Sequence, residues 1–580
     1  MGRNVGGKAL ISVTRVLKAL AVSILLGLSA FATAKLDILG LESASDRLAD
    51  QVYQRIGAAD YGPGRKGQRE VSVVYLDESS VENLKGFGWT RFPPTFEQQS
   101  TMLDDVLNAG GAPPAAVFLD YVYMGQGGPA DGFDGFLQTI AGATRASAWS
   151  GKPGCTADPL IKVACIVQAG GVPVIVARPS PADLELFTDV QRALDRVAVL
   201  APALVAEDAY PMLTAYDFTP PKAARLGVHG FDVSPAMALY AAYCVRRADG
   251  CGLAQFRDLR ARARAALAGA RTASPALEKV FDAPLDVVWG SRPDPAYLSM
   301  TEAVSGEAPH CRRAATGWRE RLVDQLVGIR GPGQGARQEC PYTLSLGYDR
   351  MVSGAGLESK DLERLLAGKL VMLGGHFRAS SDWVDSPVHG QVPGVQFHAM
   401  ALDNLIETGA EYRRNASSMF DSDFLESLLI SALAFCGVLA VMARNTLLDE
   451  AIASGMEPRL RSTVYGPLYI LLFGASLGIV ALATFAGVAY AHRSPINWIG
   501  IAGVTLGFLF YATRQTLPAD ICGSLEKVPI VRRGLAYGRL CFSSMRFEED
   551  RIRPPRRRPS SSPPASPPPE PVQDASHAQA

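Results

Sequence analysis

Three long apolar segments near the C-terminus, residues 424–442, 467–490 and 496–513, constrain this chain more than any other feature. Each approaches the roughly 20 apolar residues that a helix needs to cross the hydrocarbon of a bilayer. The cations between them set an orientation. Arg444, Arg459 and Arg461 lie between the first two segments, while only His492 and Arg493 lie between the last two. Arg514, Lys527, Arg532, Arg533 and Arg539 follow the third, and Arg3, Lys8, Arg15 and Lys18 precede or enter an apolar run at 19–34. Basic residues stay cytoplasmic, so the N-terminus (1–10), the loop 443–466 and the tail 514–580 are expected inside, and the large segment 35–420 outside. The first apolar segment, 11–34, is expected to be an anchor helix. Its Ala32-Thr33-Ala34 also has the small-x-small form of a signal-peptide cleavage site.

Composition agrees with export and excludes one large class of partner. The net charge is zero and charged residues make up 20% of the chain, so nothing in the electrostatics favours nucleic acid. Six of the cysteines, Cys155, Cys165, Cys244, Cys251, Cys311 and Cys340, fall in the exported segment, where an oxidising compartment favours disulfides. Their connectivity is open from sequence, and proximity suggests Cys155–Cys165, Cys244–Cys251 and Cys311–Cys340. None forms a Cys-x-x-Cys pair of the kind that structural zinc sites use. Cys436 lies within an apolar segment, and Cys522 and Cys541 in the cytoplasmic tail, where they are expected reduced.

Within the exported segment, apolar runs punctuated by glycine and proline alternate with amphipathic stretches, the pattern of an α/β domain. Residues 36–56 have helical spacing and are expected to carry the first membrane helix into the domain. Strands are expected at 71–77, 115–123, 170–177, 284–290 and 369–373, and helices at 95–109, 231–245, 256–271, 361–366 and 395–407. Gly374-Gly375 reads as a turn after the last strand. A polar loop then carries His376, Arg378, Asp382, Asp385 and His389 up to Pro393-Gly394-Val395. The Gly/Asp-rich stretch 125–134 reads as a loop, and Gly331-Pro332-Gly333-Gln334-Gly335 lacks the Lys-Ser/Thr and the setting of a phosphate loop. The tail ends in a Pro/Arg/Ser-rich run that cannot build a core and is expected to be disordered.

Several of these motifs occur in an order that resembles the CHASE2 domain, a family of extracytoplasmic sensors of bacterial signalling receptors. The opening strand with its acidic end is Val71-Ser72-Val73-Val74-Tyr75-Leu76-Asp77-Glu78-Ser79-Ser80. Trp89, Arg91 and Pro93 resemble a Trp/Pro/Arg cluster in altered order, and Ala115-Ala116-Val117-Phe118-Leu119-Asp120 resembles the next strand. Gly368-Lys369, the apolar strand, Gly374-Gly375, Asp382, Asp385, Pro387, Pro393-Gly394-Val395 and His398-Ala399 resemble the closing segment. The resemblance implies an α/β extracytoplasmic sensor domain with one N-terminal and three C-terminal transmembrane helices, multi-pass in the bacterial inner membrane. At 207–211 the chain reads Glu-Asp-Ala-Tyr-Pro where the family usually has an Asp-Gly turn and an arginine, so its ligand is expected to differ. Relatives usually carry a kinase or cyclase domain after the last span, and residues 514–580 hold no catalytic signature.

Ligands of α/β folds collect at the carboxyl ends of strands, which makes Asp77, Glu78, Arg91 and Asp120 candidates for a pocket, with Asp382 and Asp385 at motif positions nearby. Asp77-Glu78-Ser79 has an equally good reading as a helix cap. His376, His389 and His398 are candidate metal ligands, because mixed His/Asp sets bind zinc and similar ions. No cofactor is implied. The expected function is a sensor that binds an unknown extracytoplasmic signal and passes it through its membrane helices to a separate effector protein, with a homodimer as one arrangement. An exported hydrolase or metal-dependent enzyme and a structural envelope protein are the alternatives.

Overall fold

Side-chain alternation in a few short apolar runs sorts the centre of this molecule into two faces. The computed structural model describes most of residues 58–414, with gaps at 123–131, 179–187, 204–209, 216–230, 296–341, 354–358 and 378–381 and shorter ones at 59–60, 63, 90–91, 157 and 273–274. Outside that range it describes isolated positions between 20 and 54 and between 431 and 435. The elements below all belong to the unit that includes Leu25–Ile430.

In chain order these are α1 (Lys66–Glu70), β1 (Val71–Asp77), α2 (Glu78–Asn83), α3 (Phe96–Asn108), β2 (Ala116–Asp120), α4 (Phe133–Thr144) and α5 (Pro159–Gln168). Next come β3 (Val174–Arg178), α6 (Thr188–Asp195), β4 (Val199–Pro202), β5 (Leu213–Ala215), β6 (Phe231–Val233), α7 (Pro235–Arg246) and α8 (Ala254–Leu267). The last group is β7 (Leu344–Gly347), α9 (Tyr348–Ser353), α10 (Ser359–Leu366), β8 (Leu370–His376), β9 (Trp383–Ser386), β10 (Gly390–Pro393) and α11 (Gly394–Thr408).

Six of the strands form one parallel sheet in the order β4-β3-β2-β8-β1-β7. The last of these six in the chain, β8, is thus inserted between the first two. Parallel sheets are covered on both faces, which is why their strands read as almost unbroken apolar runs. Val71, Val73, Phe118, Ile175, Leu370 and Met372 pack on one face with Leu160, Leu239, Phe256 and Leu402 from α5, α7, α8 and α11. Val74, Leu76, Val117, Leu119, Val176, Val371 and Leu373 pack on the other with Met102, Leu103, Phe136 and Ile140 from α3 and α4.

Local sequence starts the helices. Thr95 and Gln98 form a reciprocal capping box on α3, Asp158 caps α5 ahead of Pro159, and Ser234 caps α7 ahead of Pro235. Gly368 follows α10 at a φ of +69°, the left-handed conformation expected of a glycine helix stop. Cys155–Cys165 and Cys244–Cys251 are bonded, as proximity suggested, whereas Cys311 and Cys340 lie outside the described residues.

Some expectations need correction. Residues 284–290 are not a fourth sheet strand. Leu285 makes only isolated bridges to Tyr210 and Arg414, and side-chain amides take up the backbone that a neighbouring strand would have paired. Gln54 Nε2 donates to Val287 O at 2.8 Å, and Trp289 N donates to Gln54 Oε1 at 3.1 Å. Val288 N donates to Asn404 Oδ1 at 2.7 Å, while Asn404 Nδ2 returns a bond to Val288 O at 3.0 Å. Gly374-Gly375 is not a turn either: β8 runs through both glycines to His376. A Cβ on Gly374 would stand 2.7 Å from Val395 Cβ, so the glycine is there to let α11 approach the sheet. The polar loop that follows contains an antiparallel hairpin, β9 and β10. The expected helix at 231–245 starts only at Pro235, because Phe231–Val233 pairs with β5.

Among the described residues no helix is long and apolar enough to cross a membrane. The expected spans at 11–34, 424–442, 467–490 and 496–513 lie outside the described residues apart from a few isolated positions.

Candidate ligand site at the carboxyl ends of the central strands

Insertion of β8 between β1 and β2 brings the carboxyl ends of three central strands side by side. Asp77 is in register with His376, and Asp120 with Gly374. This is where a chain that winds both ways from the middle of a sheet leaves room for a ligand.

The acidic groups at that edge differ in how the fold uses them. Asp77 caps α2: its Oδ1 accepts from Ser80 N at 2.6 Å and from Ser79 Oγ at 2.8 Å. Asp349, beyond β7, is tied to α2 by Ser80 Oγ at 2.8 Å and Asn83 Nδ2 at 2.7 Å. Glu78 is exposed on α2, and Asp385 is exposed on β9. Arg91 lies outside the described residues, as does Arg378.

Asp120 and Asp382 are different. Asp120 ends β2 with its Oδ2 buried, and no hydrogen-bond donor among the described residues reaches that oxygen. Burial and then the nearby Asp382 charge hold the Asp120 carboxyl well above the ordinary carboxylate range. Asp382 reaches solvent and lies over the start of α11, where a Cβ on Gly394 would stand 2.3 Å from its Oδ1. Loss of surrounding water raises its carboxyl, and the Gly394 N–H at the helix start pulls it back. A buried acid and a solvent-facing one therefore lie within each other's electrostatic reach at the strand ends. Interacting carboxyls of this kind give up their protons as a pair.

Aromatic rings stand close by. Phe92 is 39% exposed, and its ring centroid lies 3.8 Å from that of Phe377 and 6.4 Å from that of Tyr121. The hydroxyl of Tyr121 is buried with no partner among the described residues. Gly375 leaves the room that the Phe92 ring occupies, since a Cβ there would be 3.1 Å from Cζ.

The three histidines are separated by the fold. His376 contacts the rings of Tyr75 and Trp383. Buried His389 pairs its Nε2 with Gly290 O at 2.7 Å, and His398 pairs its Nδ1 with Tyr210 Oη at 2.7 Å. Burial lowers His398 to about 3, so its imidazole is neutral at ordinary pH. Among the described residues no group of three His, Cys, Asp or Glu side chains is placed to hold a metal ion.

Tyr210, within the stretch that departs from the family pattern, accepts Ala236 N at 3.1 Å as well as meeting His398. It fixes the start of α7 against α11. Arg178, the last residue of β3, is ion-paired to Asp232 of β6, both buried. Neither role was visible in sequence: a tyrosine in a polar stretch and an arginine after an apolar run carry no periodic signal.

The sheet order, the double covering and the acidic strand ends define a parallel α/β domain of the kind that binds ligands at its carboxyl edge. A model of the CHASE2 domain matches residues 20–439. The chain belongs to the CHASE2 family, whose members are extracytoplasmic sensor domains. No curated protein and no solved structure matches it.

Proposed function

We propose that this protein is a membrane-anchored sensor that binds a small extracytoplasmic ligand where Asp120 and Asp382 meet. Its membrane helices then pass the signal to a separate effector. The observation that carries this reading is the Asp120 Oδ2 oxygen, buried at the strand ends without a donor among the described residues. Buried polar atoms are nearly always paired, and exceptions concentrate where a ligand or water completes the site. Asp382 at the solvent side supplies the route, and Phe92 and Phe377, which pack over Gly375 of β8, supply an apolar wall. A ligand that donates a hydrogen bond to Asp120 favours its ionised form, so binding is linked to pH. The spread of arginines supports an exported 35–420 segment, spans at 11–34, 424–442, 467–490 and 496–513, and a cytoplasmic loop at 443–466.

Site-specific photo-crosslinking in intact cells tests both halves. Probes go into 444–461 and 525–546 of the full chain, with and without Asp120→Asn or Asp382→Asn. The sensor reading expects a reproducible adduct to a regulator whose yield changes in the carboxylate variants. An adduct that ignores both substitutions removes the site assignment and leaves the sensor. Well-expressed protein that gives no adduct at any position removes transmission to a partner.

A further inference from the structure

The two ends of the sensor segment meet in the fold. Asp50 belongs to the stretch leading out of the N-terminal apolar run, and Arg413 stands shortly before the apolar segment 424–442. Arg413 Nη2 lies 2.8 Å from Asp50 Oδ1 and 2.6 Å from Asp286 Oδ2, with its own side chain only 6% exposed. Its Nε and Nη1 meet no acceptor among the described residues, so one nitrogen with two N–H groups serves both carboxylates. The guanidinium also lies over the Tyr53 ring, 5.2 Å from its centroid.

Around this ion triad the three segments are stitched together. Gln54 Nε2 reaches Asp50 Oδ2 at 3.2 Å as well as Val287 O. Asp286 N donates to Arg413 O at 2.9 Å. The entry residues 50–54, the body segment 285–289 and the exit residues 413–414 therefore share one polar junction. Removing one partner of a buried ion pair leaves an uncompensated charge, so the three segments depend on one another at this junction.

We propose that Arg413 is a latch that couples the entry segment to the exit segment, so that opening at one frees the other. This rests on the sensor reading for its purpose but not for its test. Asp286, Arg413, Tyr53 and Gln54 face Asp50 among the described residues. Burial and the Asp286 charge outweigh Arg413 and raise the Asp50 carboxyl to about 6. A docked entry segment therefore binds a proton that an undocked one does not. Docking is favoured below that pH and loosens as pH rises through it.

Hydrogen exchange of the full chain in lipid nanodiscs tests this without any ligand. Peptides covering 46–58, 409–416 and the β1 and β8 strands are followed in wild type, Asp50→Ala, Arg413→Lys and the surface control Arg262→Ala. Asp50→Ala removes the side-chain bonds to Arg413 and Gln54 together with the titration. Corrected for intrinsic rates and compared at about pH 5, it is expected to raise exchange in 409–416 by roughly tenfold or more while β1 and β8 stay protected. Wild-type 46–58 is expected to lose protection between about pH 4 and 6.5, and Asp50→Ala to lack that dependence. Exchange that rises only in the mutated segment overturns the latch, as does a pH dependence that survives Asp50→Ala. Should Arg413→Lys expose the strands as well, the milder Asp50→Ala decides. A latch confirmed here stands even if the Asp120 site fails, because neither variant touches that site.

Discussion

Asp403, on the buried face of α11, is the sharpest test of the energetics. It is 1% exposed, accepts from Tyr61 Oη through Oδ1, and leaves Oδ2 without a donor among the described residues. Burial is the main cause that lifts its carboxyl from 3.8 to about 7, with Tyr61 opposing. The folded state therefore binds this proton more tightly than the unfolded chain does. The stabilisation is complete below about pH 4 and is lost as pH rises through about 7. At roughly 1.4 kcal/mol for each of about three pH units, the loss approaches ~4 kcal/mol above pH 8. Asp403→Asn keeps the oxygen that accepts from Tyr61 and removes the ionisation. Thermal unfolding of the full chain in detergent, followed by tryptophan fluorescence, is the assay. The variant is expected to match or fall slightly below wild type at pH 5 and to melt several degrees higher at pH 8.5. Parallel pH curves for the two proteins would refute the burial argument.

Other outcomes follow from the same packing. Asn404→Ala removes the side chain that binds Val288 N, Val288 O and Tyr61 Oη, and is expected to cost about 2–4 kcal/mol, read as a lower unfolding midpoint. Gly374→Ala places a Cβ 2.7 Å from Val395 Cβ and is expected to cost about 1–3 kcal/mol, with Gly390→Ala serving as a comparison that has nothing within 4 Å of the added carbon, although its φ of +73° adds local strain. Breaking Cys155–Cys165 by a double serine substitution is expected to cost about 2–4 kcal/mol. Non-reducing peptide mapping of exported protein should recover both that pair and Cys244–Cys251.

The sequence by itself determined the central strands and the family. In β1, β2 and β8 every position faces a covering layer, so the apolar run is continuous and stands out against its glycine and aspartate borders. Asp77 announced a helix start because capping needs only a short side chain and the next few N–H groups. The edge strands β4 and β7 were missed because each has only four residues, too few to show a period. Residues 284–290 misled for the opposite reason: an apolar extended stretch looks like a strand whether its partners are another backbone or the amides of Gln54 and Asn404.

The site shows the same division. Composition and motif order singled out Asp120 and Asp382 but could not separate them from Asp77, which is consumed by a cap, or from Asp385, which stands in the open on a hairpin. That distinction depends on which donors come near each carboxylate, and those donors arrive from distant parts of the chain. Arg413, Asp50 and Asp286 carry no local signal at all. Their meeting exists only because β8 and α11 return the exit segment to the place where the entry segment begins. Short-range preferences are written in neighbouring residues, whereas desolvation and charge pairing are decided by whatever the folded chain brings into contact.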